Sequence, residues 1–295
     1  MTGALWATLA GFGFGIFQAF NRRAGRAFDA FIATFILLAG STIVLAVASV
    51  LTEDLGQLNG VPFMAYVNFG LAGFFHFYIG WTLLSISQNK VGAARTGALL
   101  GTTPFFSLFI SALAFSEFLH LPVLAGIFIL VGGVYLISFE KNPFAGTGKT
   151  ILRDSVFGLG VALCFSISPI FIRDGMKDLH SPLLGVTIGM GISAIAYGVT
   201  LLFQRKPIKQ GPITRDALWF QIAAAFFVGI STWARWIALD MTAVSVVLAL
   251  GRLNVAVVIL LSPMLVGKAM ENVTPRVWLG AALIVAGSLI LNFLG

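Results

Sequence analysis

The chain has 295 residues, 58% of them hydrophobic and only 10% charged, with a mean hydropathy of +0.98. Soluble domains carry roughly a quarter charged residues, so a water-soluble globular protein is excluded and a lipid bilayer is the expected solvent. The formal charge of +7 lies in short basic groups between apolar runs, where topology signals belong, and not on a nucleic-acid surface.

A spanning helix needs about 20 mostly apolar residues. Apolar runs punctuated by charge, Pro and Gly predict spans at 3–20, 30–51, 61–88, 93–115, 122–139, 155–172, 182–203, 217–238, 243–266 and 275–294. About 90 residues remain for loops and ends, too few for a folded soluble domain. Met1-Thr2-Gly3-Ala4-Leu5-Trp6 lacks the basic start of a signal peptide, so the first run is expected to stay as a helix. Pro122, Pro182 and Pro275 stand at predicted first turns, where proline is tolerated. Period-two alternation is missing, which removes a β-barrel. The single cysteine, Cys164, lies in an apolar run and excludes an intramolecular disulfide and a thiolate cluster. The expected fold class is an all-α polytopic membrane protein.

Residues 140–154 form the longest polar interruption near mid-chain and read as a linker between two halves, 1–139 and 155–295. Its Gly148-Lys149-Thr150 mimics the end of a phosphate-binding loop, but Pro143 stands where that pattern needs glycine. An offset of 154 aligns Glu117 with Glu271, Gly97 with Gly251, Gly126 with Gly280 and Gly133 with Gly287; an offset of 147 puts Gly11 and Gly13 on Gly158 and Gly160. With five helices per half, the second half enters the membrane inverted, so the ten spans are expected to form two inverted five-helix repeats.

Charge tests this independently. Arg22, Arg23 and Arg26, then Lys90 and Arg95, then Lys141, Lys149 and Arg153, then Arg205, Lys206, Lys209 and Arg215, then Lys268 and Arg276 all fall on one predicted side. The other side has Arg173 and Lys177, beside Asp174 and Asp178. The positive-inside rule makes the linker and basic loops cytoplasmic and both termini periplasmic.

Polar groups inside a span are costly and mark function. The third span carries His76, Tyr78, Trp81 and Ser85, the last three at helical spacing and expected near one face. The alternatives are a lumen-facing stripe and an interfacial aromatic belt; His76 could equally bond a neighbouring helix. Trp233, Arg235 and Trp236 lie near the outward end of the eighth span. Arg235 is expected to snorkel to headgroups or pair with Asp240, the other reading being a guanidinium stacked between tryptophans that binds a carboxylate. Arg252 and Asn254 lie deeper, facing a wet cavity or a partner group.

Thr102-Thr103-Pro104, Ser166-Ile-Ser-Pro169 and Ser262-Pro263 free backbone carbonyls inside helices, either as bends for packing or as breaks lining a solute site. Gly11-Phe-Gly13-Phe-Gly15 and Gly185-x-x-x-Gly189 read as close helix contacts. Glu117 and Glu271 precede the last span of each half and read as helix caps, not proton carriers. Enzyme motifs are missing, and neither a metal nor a cofactor is expected.

Paired halves, Glu117/Pro122/Gly126 and Glu271/Pro275/Gly280 closing each half, and Thr103-Pro-Phe-Phe106 together resemble the drug/metabolite transporter superfamily. The likeness is nearest to bacterial EamA-domain exporters and, within them, to the YddG-type aromatic amino-acid exporters. The resemblance implies a ten-helix basket with a central cavity and alternating access, exporting amino acids or similar small metabolites from the cytoplasm as a monomer among membrane lipids. One departure concerns coupling: small multidrug members carry a buried glutamate in the first helix, where this chain has Gln18. His76, with an unperturbed pKa of about 6.5, is then the remaining proton-carrying candidate within the spans. The expected default is facilitated diffusion, and the alternative a proton-coupled antiporter. A membrane-embedded enzyme or scaffold is the reading from another class.

Overall fold

The computed structural model describes residues 2–25, 27–103, 105–107, 110, 121–138, 152–203, 213–242, 247, 250–251, 253–267 and 273–294. Their helices, in chain order, are α1 (Gly3–Ala24), α2 (Ala30–Thr52), α3 (Phe63–Val91), α4 (Ala93–Leu100), α5 (Leu121–Ser138), α6 (Leu152–Met176), α7 (Pro182–Phe203), α8 (Arg215–Met241), α9 (Leu253–Val266) and α10 (Pro275–Leu294). No strand occurs among the described residues. By length and composition α1, α2, α3, α6, α7 and α8 can each cross a membrane. The outward faces are apolar, with Phe128 76% and Ile195 71% exposed, as lipid contact requires and water would not favour.

Helix ends follow from local chemistry. Asp29 caps α2 by accepting the Phe31 N–H at 2.9 Å, and the Thr214 hydroxyl caps α8 by accepting that of Ala217 at 3.2 Å, each filling an orphan first-turn donor. Gly92 turns α3 into α4 with φ of 90°, a backbone state that a side chain would strain. Residues 152–154, expected in the linker, belong to the first turn of α6, where Asp154 faces the helix N-terminus and favours an early start. Glu117, Glu271, Pro104 and Arg252 lie outside the described residues.

Lipid gives helices no hydrophobic reason to associate, so contact depends on close van der Waals fit at small residues. Glycine supplies it here. A Cβ on Gly11 would lie 2.9 Å from the Leu250 carbonyl oxygen, one on Gly13 would collide with the Ser231 hydroxyl, and one on Gly15 with the Val257 side chain. α1 is therefore wedged between α8 and α9. Gly185 and Gly189 seat α7 on α3: a Cβ on Gly185 would come within 2.8 Å of Phe69, and one on Gly189 within 2.9 Å of the Phe69 carbonyl oxygen.

The remaining packing repeats this scheme. As α1 lies on α8 and α9, so α6 lies on α3 and α4; α2 packs on α8 as α7 packs on α3. α5 and α10 pair with each other, as do α2 and α7, and α4 and α9. In the α5–α10 pair the fit is reciprocal. A Cβ on Gly133 would meet the Gly280 carbonyl oxygen at 2.6 Å, and one on Gly287 would meet that of Gly126 at 2.7 Å.

Arg23 ties the ends of three helices together at one end of the bundle. It donates to Asp216 at the start of α8 and, at 3.1 Å, to the Leu265 carbonyl near the end of α9. Lys90, at the end of α3, pairs with Asp154 of α6 at 2.9 Å. We call this the basic end. At the other end Gly3 touches Thr242.

Candidate functional site

A cavity lies between α1, α3, α4, α6, α8 and α9. Ala7, Gly11, Phe14, Phe17 and Gln18 line it from α1, Trp81 and Leu84 from α3, Leu100 and Thr103 from the α4 segment, Phe165 from α6, Arg235 from α8, Asn254 from α9 and Gly251 just before it. Bare backbone at Gly251, where an added Cβ would meet nothing within 4 Å, leaves room, and the phenylalanines with Trp81 form an apolar wall. Its water-accessible space is about 40 Å³, room for about three waters and far below the roughly 300 Å³ at which small-molecule sites begin.

Trp81 reaches the cavity because α3 is not regular. Phe74–Gly80 is a π-helical stretch, whose i→i+5 pattern turns each residue through less than the 100° of an α-helix. The face shared by Tyr78, Trp81 and Ser85 in a regular helix is thereby split. Trp81, 1% exposed, packs against Phe17 with ring centroids 5.9 Å apart. Tyr78 turns toward α7, its hydroxyl 2.7 Å from that of Thr200, and borders a separate recess with Phe31, Thr82 and Tyr197. The Ser85 hydroxyl lies 3.1 Å from that of Thr34 on α2. His76 sits behind the cavity wall, stacked on Phe165 at 4.0 Å, with Nδ1 2.8 Å from the Ser168 hydroxyl. Its Nε2 is buried without a protein partner.

The break after α4 is satisfied internally. Proline at 104 has no N–H for the Leu100 carbonyl, and that carbonyl instead accepts the Thr103 hydroxyl at 2.6 Å. Thr102 donates to the Leu99 carbonyl at 2.8 Å, and Ser166 of α6 donates to that of Thr103 at 2.8 Å. Thr103 thus reaches the cavity, whereas Thr102 and Ser166 brace its wall. Pro169 and Pro263 lie inside α6 and α9.

On α8 the expected arrangement changes. Trp236 is buried against Phe69, ring centroids 5.8 Å apart, and Trp233 packs on the main core, so neither sandwiches Arg235. Arg235 neither snorkels outward nor pairs with Asp240: it lines the cavity, and among the described residues it has no ion-pair, hydrogen-bond or ring partner. The reason is rotation. α1 meets α8 through Gly13 and Ser231, and Arg235, one turn after Ser231, lies on that same inward stripe. Gln18, 2% exposed, and Asn254, 6% exposed, also face the cavity, and the side-chain oxygen of each lacks a protein partner.

Towards the basic end three amides pair with one another. Asn21 Nδ2 donates to Gln88 Oε1 at 2.6 Å, and Gln221 Nε2 donates to the Ala33 carbonyl at 2.8 Å and to Asn21 Oδ1 at 3.3 Å. Gln88 Nε2 and Gln221 Oε1 remain buried and unpartnered. This clasp joins α1, α3, α8 and α2 one turn below Gln18.

A helical bundle with apolar outer faces and a small mixed aromatic and polar chamber at its centre is an integral membrane protein of several spans. The profile of the EamA-like transporter family matches residues 1–139 and 154–293, and the chain belongs to that family. It is 32% identical over 121 residues to "Uncharacterized transporter YdfC" of Bacillus subtilis (strain 168), a match spanning 41% of this chain and 38% of that relative. A solved structure described as "Crystal structure of protein" superposes with a TM-score of 0.62 and 19% identity, covering 96% of this chain and 95% of the other. At that identity the likeness speaks for the fold alone.

Proposed function

We propose that this protein is a carrier that moves amino acids, aromatic ones among them, or similar small metabolites out of a bacterial cell by alternating access and facilitated diffusion. The observation that carries this reading is the central cavity. It is walled by Phe14, Phe17, Trp81 and Phe165, lined by Gln18 and Asn254 whose side-chain oxygens have no protein partner, and built by helices from both segments that match the family. An aromatic wall favours amphipathic solutes, and intramembrane polar groups mark a solute path.

Ten spans in two inverted five-helix repeats, 1–139 and 155–295 about a cytoplasmic linker 140–154, fit the packing. The contacts of α1 with α8 and α9 correspond to those of α6 with α3 and α4, and Gly133 on Gly280 mirrors Gly287 on Gly126. A two-fold axis between the halves produces such reciprocity, and rocking about it would open either end. In this account the Asn21, Gln88 and Gln221 clasp is the closed cytoplasmic gate. The basic loops lie in the cytoplasm, the termini in the periplasm and the chain in the inner membrane, working as a monomer.

Of the candidate residues, Trp81, Thr103 and Asn254 would meet solute directly. Thr102 and Ser166 would hold the wall, and His76 would brace Phe165. Eight of the carboxylates are described, Asp29, Glu53, Asp54, Asp154, Asp174, Asp178, Asp216 and Asp240, and each stands at a helix end or in a loop. This favours uncoupled flux over proton antiport. A metabolite-release screen on cells overproducing the protein tests the reading: extracellular amino acids should rise against cells carrying a Trp81→Ala variant expressed at equal level. An unchanged exometabolome would count against export.

A further inference from the structure

We propose that Arg235, Asn254 and Gln18 form a subsite for a zwitterion, with the solute's carboxylate on Arg235 and its ammonium against the side-chain oxygens of Asn254 and Gln18. The inference rests on the carrier reading and assigns the parts of its substrate.

A cation at this depth needs an explanation. Arg235 lies six residues before the end of α8, about 9 Å along the axis, in a segment that packs on other helices. A guanidinium there is tolerated when a wet cavity or a partner receives it, and among the described residues none pairs with it: Asp240 is exposed at the helix end, and no aromatic ring among them stacks on it. Arg235 lines the cavity. Among the described lining residues it is the sole charged group, so one negative charge on the solute would balance it. A carboxylate matches the planar fork of the guanidinium in both charge and shape.

The other two orphans are complementary. Asn254 Oδ1 and Gln18 Oε1 are buried acceptors without a protein donor, a state costly enough that buried polar groups rarely occupy it. Gln18 lies beside Gly97 of α4, where an added Cβ would stand 3.4 Å from Gln18 Oε1, at ordinary contact distance.

Helix register orders the three groups. Gly13 faces Ser231 on the antiparallel α8, so Arg235 lies one turn nearer the outer end; Gly15 faces the Asn254 backbone, and Gln18 is almost one turn deeper. Donors for an anion therefore stand on the outer side and acceptors for an ammonium on the inner side, with Phe14, Phe17 and Trp81 along the same chamber for the remaining apolar part. A neutral apolar drug would leave all three groups unpaired, and an amine without a carboxylate would leave its charge beside Arg235.

The test uses the full chain reconstituted in proteoliposomes and matched solutes: phenylalanine and leucine, each also as its amide and its decarboxylated amine, with 3-phenylpropionate as the acid lacking the amino group. In the wild type the amino acids should be transported at least about tenfold better than their amides or amines, the worth of a charge-assisted bidentate contact, and 3-phenylpropionate should fall between. Arg235→Gln should reduce amino-acid transport to the level of the amides, with a cooperative thermal unfolding transition in detergent reporting that the variant is folded. Arg235→Lys should keep part of the preference, and Asn254→Leu should bring phenylalanine down to 3-phenylpropionate. Equal wild-type transport of acid, amide and amine would overturn the subsite and leave the carrier reading standing. A phosphate monoester such as phenyl phosphate competing better than 3-phenylpropionate would overturn the single-charge assignment. Failure of the wild type to transport any of them would overturn the amino-acid carrier reading, and this inference with it.

Discussion

Asn21→Ala tests the cytoplasmic gate at its centre. The substitution removes the 2.6 Å bond to Gln88 and the longer 3.3 Å bond from Gln221, leaving Gln88 Oε1 buried without a donor, while Gln221 keeps its 2.8 Å bond to the Ala33 carbonyl. A buried acceptor stripped of its donor costs about 1–3 kcal/mol. That cost falls on the closed state alone, since water satisfies the amides once the basic end parts. About 2 kcal/mol against closure raises the inward-open fraction about 30-fold while that fraction is small. The chain's single cysteine, Cys164, makes the measurement simple. On a Cys164→Ala background, Leu84→Cys places a thiol on the cavity wall one turn from Gln88. In inverted vesicles its labelling by a membrane-impermeant thiol reagent should speed up about 30-fold with Asn21→Ala, while labelling from the opposite face slows. Labelling within twofold of the parent from the basic face would refute the assignment of this clasp as a gate.

Adjacent glycines on α5 should behave oppositely. Gly133→Ala must displace the Gly280 carbonyl oxygen, 2.6 Å from the added Cβ, and lower stability by about 1–3 kcal/mol; Gly132→Ala meets nothing within 4 Å and should be neutral or gain up to about 1 kcal/mol of helix propensity, both read by thermal unfolding in detergent. His76→Gln should retain downhill flux in vesicles without a proton gradient, because His76 stacks on Phe165 and bonds Ser168 outside the chamber; accumulation driven by an imposed pH difference and abolished by this substitution would instead establish proton coupling. Single cysteines at Lys149 and Gly295 should label from opposite membrane faces, and labelling from one face would refute the ten-span topology.

What could be read from the sequence was whatever depends on local pattern. Apolar length located α1, α2, α3, α6, α7 and α8 to within a few residues, and the spacing of Gly185 and Gly189 foretold a close contact that α3 fills through Phe69. Properties set by rotation about a helix axis were not legible. Tyr78 and Trp81 share a face only if α3 is a regular helix, and the π-helical Phe74–Gly80 stretch sends them to different chambers. Arg235 near a helix end has the sequence features of a snorkelling residue; what turns it inward is the Gly13–Ser231 contact between segments more than 200 positions apart. The amide clasp is equally hidden, since Asn21, Gln88 and Gln221 have no common motif. Gln18 drew notice only for not being a glutamate, although a lone amide in an apolar span was itself the signal for the cavity.

Counterflow in proteoliposomes tests the central claim most directly. Vesicles loaded with unlabelled phenylalanine or leucine and diluted into a trace of the labelled compound should take up label transiently above equilibrium, without any ion gradient, because a carrier that alternates between two faces exchanges solute for solute. Uptake that rises only to equilibrium and never overshoots, whatever the internal load, would mark a channel; no protein-dependent uptake of either solute would contradict the assignment as an amino-acid carrier.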